Sequence, residues 1–126
     1  MSPVRLSENQ FDSIVKRALA KIPFEVRQHL QNILVTVKDS PSELPDYVGP
    51  VDHNSILGLF VGIPLIDKSV TSPQLYPDMI YLFQRNLEKV CDTAEQLEEE
   101  IEITVVHEIA HYVGMTEERL EELGYG

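Results

Sequence analysis

One cysteine, no tryptophan and only 10 basic residues against 21 acidic ones set the first limits on this 126-residue sequence. A single thiol, Cys91, excludes an internal disulfide framework and fits a reducing compartment, so a cytoplasmic location is expected. The shortage of Lys and Arg gives a net charge of −11. That argues against a nucleic-acid partner, because phosphate contacts from basic patches supply most of such affinity. Unbroken apolar runs stop after about five residues, against the roughly 20 that a bilayer-crossing helix needs, so no membrane partner is expected. The segment "MSPVRLSENQFDSIV" has no apolar stretch of the kind a secretory signal uses. Internal repeats and low-complexity tracts are lacking too, and the length suits one domain over residues 1–126.

What is present begins with a capping box. In Ser7-Glu8-Asn9-Gln10 the Ser7 hydroxyl can take an orphan N–H while Gln10 reaches back. Phe11, Ile14, Val15, Ala18, Leu19 and Ile22 then recur along one helical face. Pro23 opens a second, shorter helix with Phe24, Val26 and Leu30 on its apolar side. The β-branched "ILVTV" (33–37), "ILGLF" (56–60) and "DMIYLF" (78–83) read as three strands. Between the first two lies "KDSPSELPDYVGPVDHNS", a long Pro-rich loop of the kind that forms functional rims. A second loop, "GIPLIDKSVTSPQLYP", precedes the third strand, and 84–92 has room for a helical turn. Thr93 and Gln96 cap the longest helix, expected over Ala94 to Val113 and closed by a left-handed Gly114. Thr116 caps a last helix, Glu117 to Leu123. The predicted class is α+β: two N-terminal helices, a small three-stranded mixed sheet, a long helix and a short one.

The chemistry concentrates in "VVHEIAHYVG". With each residue advancing about 100°, His111 lies at about 40° and Glu108 at about 100° from His107, so the three share one sector. Around them stand Val105, Val106, Ile109, Ala110 and Val113, and the spacing predicts that the histidines and their glutamate enter the core. Buried ionisable groups need compensation, and a divalent cation compensates all three. Two imidazoles one turn apart suit a tetrahedral zinc ion, and Glu108, offset from the ligands, suits a general base. Catalytic zinc sites have three protein ligands and an open position. Extending the pattern to H-E-x-x-H-x-x-G-x-x-E puts Gly114 at a turn and Glu117 where a third ligand would swing back. Glu118, Glu121 and Glu122 are alternatives, and any acid in a first helical turn is also favoured by the macrodipole.

The stretch "HEIAHYVGMTEERLEELGY", with "ILGLFVGIPL" and "YPDMIYLF" upstream, resembles the small bacterial zincin-like metallopeptidases over most of the chain. The resemblance implies a minimal zincin fold with the HExxH helix under a cleft. It also implies a Zn2+ cofactor, an acid at the position of Glu117, and a peptide or protein substrate hydrolysed with Glu108 as base. By fold analogy the substrate would lie along the strand carrying Gly58, Leu59 and Phe60. Tyr112, Tyr125, His53 and Arg119 are candidate oxyanion stabilisers. Two other readings compete. A metal-dependent ribonuclease uses the same ligand spacing, but Glu108 and the negative charge oppose it. A non-catalytic zinc-binding or interaction protein would carry a fourth protein ligand.

Overall fold

A computed structural model describes residues 5–44, 55–62 and 77–126. The middle of the Pro-rich loop, His53 within it, and most of the second loop lie outside the described residues. The elements run α1 (Glu8–Lys21), α2 (Phe24–Arg27), β1 (Leu34–Lys38), β2 (Gly58–Val61), β3 (Met79–Phe83), α3 (Gln84–Lys89), α4 (Ala94–Val113) and α5 (Glu117–Leu123). The fold is α+β, with a three-stranded mixed sheet of order β1-β3-β2. β1 pairs parallel to β3, Leu34 opposite Met79, and β2 pairs antiparallel, Gly58 opposite Leu82.

Local signals explain most boundaries. Ser7 accepts from the Gln10 N–H and Gln10 accepts from the Ser7 N–H, a complete capping box. The second box is split: the Thr93 hydroxyl accepts from the Gln96 N–H, but the Gln96 side-chain Oε1 reaches past Thr93 to accept the Asp92 N–H at 2.7 Å. Gly114 (φ 71°) and Gly124 (φ 95°) are left-handed, as helix-ending glycines should be. The second helix is shorter than its apolar spacing suggests. After Arg27 the chain tightens into a 3-10 turn, Gln28–Asn32. β1 and β2 begin later than predicted, at Leu34 and Gly58, because their limits follow pairing with β3 and not composition.

The core sits between α1, the sheet and α4. On α4 the buried side chains Leu97, Ile101, Val105, Ile109 and Tyr112 form a stripe, with Val106 and Ala110 beside it. Phe11, Ile14, Val15 and Ala18 of α1 and Ile80 and Leu82 of β3 belong to the same cluster. On the outer side of the α1–α4 contact, Glu98 binds Arg17 at 2.7 Å and also binds Lys21, and both cations hold its carboxyl below the ordinary range. Among the described residues no helix is long and apolar enough to cross a membrane.

Candidate metal and catalytic site

The sector of α4 that the core leaves unused carries the motif. His107 and Glu108 are half-buried and His111 is exposed. This corrects the expectation of a fully buried triad. The buried stripe fills the adjoining side of the helix, with Tyr112 one turn after Glu108 and packed on the same Phe60, so the motif lies at the rim, where ionisable groups keep part of their hydration. Of the apolar neighbours that suggested burial, Val105, Val106, Ile109 and Ala110 do lie in the core, on the part of the helix surface beside the motif.

The rim position brings Glu108 onto the sheet. Its Oε1 accepts the backbone N–H of Phe60 at 2.7 Å. The alternation of the β2–β3 pair explains why that N–H is available. Phe83 donates to the Leu57 carbonyl at 3.0 Å, so Leu57, and by period two Leu59 and Val61, form the hydrogen-bonded pairs with β3. Gly58 and Phe60 therefore turn their backbone groups outward, and among the described strands β2 is one of the two edges, β1 being the other. α4 can approach this closely because Gly58 has no side chain. A Cβ there would stand 2.6 Å from Thr104 Cγ2, one helical turn before Glu108, and 3.1 Å from the Tyr81 carbonyl.

His107 meets the segment after α5. Its Nε2 lies 2.7 Å from the Tyr125 carbonyl oxygen. The Tyr125 hydroxyl donates to Glu102 Oε2 at 2.5 Å, and burial followed by that bond pushes the phenol pKa up. Sequence reasoning named Tyr125 only as an oxyanion candidate and missed this contact. The signal available to it was the left-handed Gly124, which returns the chain toward α4.

The remaining candidates are placed as follows. Glu117, Glu118, Glu121 and Glu122 are all exposed along α5. Arg119 is engaged by Glu25, with Nε at 2.9 Å, and by Glu122 at 3.4 Å; the Glu25 bond and charge raise its pKa. Tyr112 is 3% exposed and packs edge-on to His29 and tilted against Phe60. Leu59 pairs with Tyr81 in the sheet. Two imidazoles a single turn apart are a donor pair zinc accepts, and in chemistry and spacing they fit two of its ligands. Among the described residues no third His, Cys, Asp or Glu joins them, Glu117 included. Cys91, buried in the connection between α3 and α4, has its thiol pushed up to about 11, first by burial, which disfavours the reactive thiolate.

The assembled part of the site is thus a helix with two imidazoles and a carboxylate, the carboxylate seated on the edge of a mixed sheet. The sequence profile of the zincin-like metallopeptidases matches residues 30–126, which spans β1 to the end of α5 and takes in both partners of the Glu108–Phe60 contact. No curated protein matches the chain. With a match over that much of its length, the chain belongs to the zincin-like metallopeptidase family.

Proposed function

We propose that the protein is a zinc-dependent peptidase that hydrolyses peptide bonds, with His107 and His111 holding the ion and Glu108 as general base. The observation that carries this reading is the Glu108–Phe60 bond, which couples the base to the edge strand where an extended peptide would pair. When bound, zinc would bring the pKa of a water toward neutrality and polarise the scissile carbonyl. Glu108 would take the water's proton and deliver it to the leaving amine. The Phe60 N–H restrains one carboxylate oxygen and leaves the other for proton transfer. Gly58, Leu59 and Phe60 would supply the pairing strand, with the outward backbone groups of Gly58 nearest an incoming chain.

Glu117 is the third ligand that the motif spacing favours. Its exposed position at the start of α5 means that it would have to turn toward the imidazoles on loading. Family membership and the acidic character of the chain favour a peptidase over a ribonuclease. The test is cleavage of a peptide library by zinc-loaded wild type and Glu108→Ala, with single-stranded RNA as a parallel substrate. The reading expects peptide cleavage by wild type, none by the variant despite retained zinc, and intact RNA. RNA cleavage lost in Glu108→Ala would overturn it.

A further inference from the structure

Nothing in the zinc reading requires the contact that Tyr125 makes with His107. A carbonyl oxygen only accepts, so the 2.7 Å contact places a proton on His107 Nε2. A protonated ring nitrogen has no lone pair for a metal. Nε2 is also the ring atom farthest from the backbone, the one best able to reach an ion shared with His111. The segment therefore covers the nitrogen that the ion needs.

The posture of this segment is built at several points. Gly124 turns the chain in the left-handed region, and the Tyr125 N–H donates to the Leu120 carbonyl at 2.9 Å. The Tyr125 ring packs half-buried against the core, and its hydroxyl is held by Glu102. Gly126 lies so close to α5 that a Cβ would meet Glu121 Cγ at 2.2 Å. Hydroxyl, ring and backbone thus aim one carbonyl at one imidazole.

We propose that Gly124, Tyr125 and Gly126 form a latch on the metal site, closed when the Tyr125 carbonyl holds His107 as its Nε2–H tautomer and opened when the ring proton moves to Nδ1 and frees Nε2 for zinc. The proposal rests on His107 being a zinc ligand. A closed latch lowers apparent zinc affinity by the fraction of molecules that are open, and loosening it raises that affinity. Tyr125→Phe removes the hydroxyl bond to Glu102, Glu102→Ala removes its acceptor, and a chain ending after Leu123 removes the latch outright.

Zinc affinity of the four proteins, measured by competition with a chromophoric chelator, reads the latch without reference to activity. Each point variant is expected to bind zinc roughly three- to ten-fold more tightly than wild type, and the shortened chain more tightly still. Proton–nitrogen correlation spectra of the His107 ring should show Nε2–H in the metal-free wild type and a metal-bound Nε2 after zinc addition. Equal or weaker binding by both point variants overturns the latch. So does zinc binding with Nε2–H retained, which would make the carbonyl a support for the ring. If the shortened chain fails to fold, the point variants decide. Absence of zinc binding in every protein overturns the ligand reading along with the latch, whereas equal binding in all of them removes the latch alone.

Discussion

Glu88 and Glu108 each lie on a helix, and each accepts a backbone N–H from a distant part of the chain. For Glu88 the donor is Leu6 at 2.9 Å, and for Glu108 it is Phe60 at 2.7 Å. The rest of their surroundings differ. Glu88 is 3% exposed and also takes Gln84 Nε2 at 3.2 Å and Arg85 Nη1 at 2.6 Å. Arg85 in turn faces Asp39 at 3.1 Å, and the Glu88 bond raises the pKa of its guanidinium. Gln84 Nε2 donates to the Leu6 carbonyl as well, so this cluster ties the entry to α1 onto α3. Glu108 sits at the rim beside two imidazoles of its own helix, with the Phe60 N–H as its hydrogen-bond partner among the described residues. A carboxylate whose acceptor sites are filled by several fixed donors holds structure. One restrained at a single oxygen keeps a basic oxygen for chemistry.

Exchanging the two carboxylates' losses should break that comparison if it is wrong. The largest effect expected is on activity: Glu108→Ala should lower peptide hydrolysis by about 10²–10⁴-fold. Its unfolding free energy in urea should change by less than about 1 kcal/mol, since one half-exposed bond is lost. Glu88→Ala should show the reverse. It strands buried donors and a guanidinium, which should cost about 3 kcal/mol in the same titration while leaving activity per folded molecule intact. A mild Glu88→Ala and a strongly unfolding Glu108→Ala would reverse the assignment.

Gly58→Ala sharpens the comparison, because it disturbs the strand under Glu108 without touching the carboxylate. The new methyl would press on Thr104 Cγ2 and the Tyr81 carbonyl, for an expected loss of about 1–3 kcal/mol. Thr104→Ser, which deletes Cγ2, should restore part of it in the double variant. Additive losses would mean that α4 and β2 are not in contact there.

A third carboxylate, Glu98, provides the smallest effect and a different sign of evidence. Lys21 and Arg17 depress its pKa below the usual 4.5. Its contribution to stability is therefore complete above the unfolded value and is lost as pH falls through the depressed folded value. The stability difference between wild type and Glu98→Gln should accordingly be constant near neutrality and shrink in acid. A difference that persists unchanged below that range would show that charge is not what Glu98 contributes.

The parts of the molecule that were legible beforehand are those governed by short-range chemistry. Ser7 with Gln10, Thr93 with its helix, and Gly114 at the end of it are local signals, and the structure has each where the pattern put it. The α+β class and the placement of strands followed from β-branched runs, although strand ends shifted with pairing. What could not be read was which side of α4 the sheet and α1 would cover. Val105, Val106 and Ile109 looked like a wall around the motif, yet they are buried while His107, Glu108 and His111 stay at the rim. Contacts between groups far apart in sequence, such as Glu108 with Phe60 and His107 with Tyr125, depend on how α4 crosses β2 and how Gly124 turns the chain. No spacing rule encodes either of these.

The central claim is that His107 and His111 form a zinc-holding pair with Glu108 as the base beside it. Metal analysis of the reconstituted, dialysed protein tests it most directly, run on wild type, His107→Ala, His111→Ala and Glu108→Ala. One zinc ion per chain is expected in wild type and Glu108→Ala, with loss in either histidine variant. Wild type without zinc, or zinc retained in the histidine variants, would rule it out.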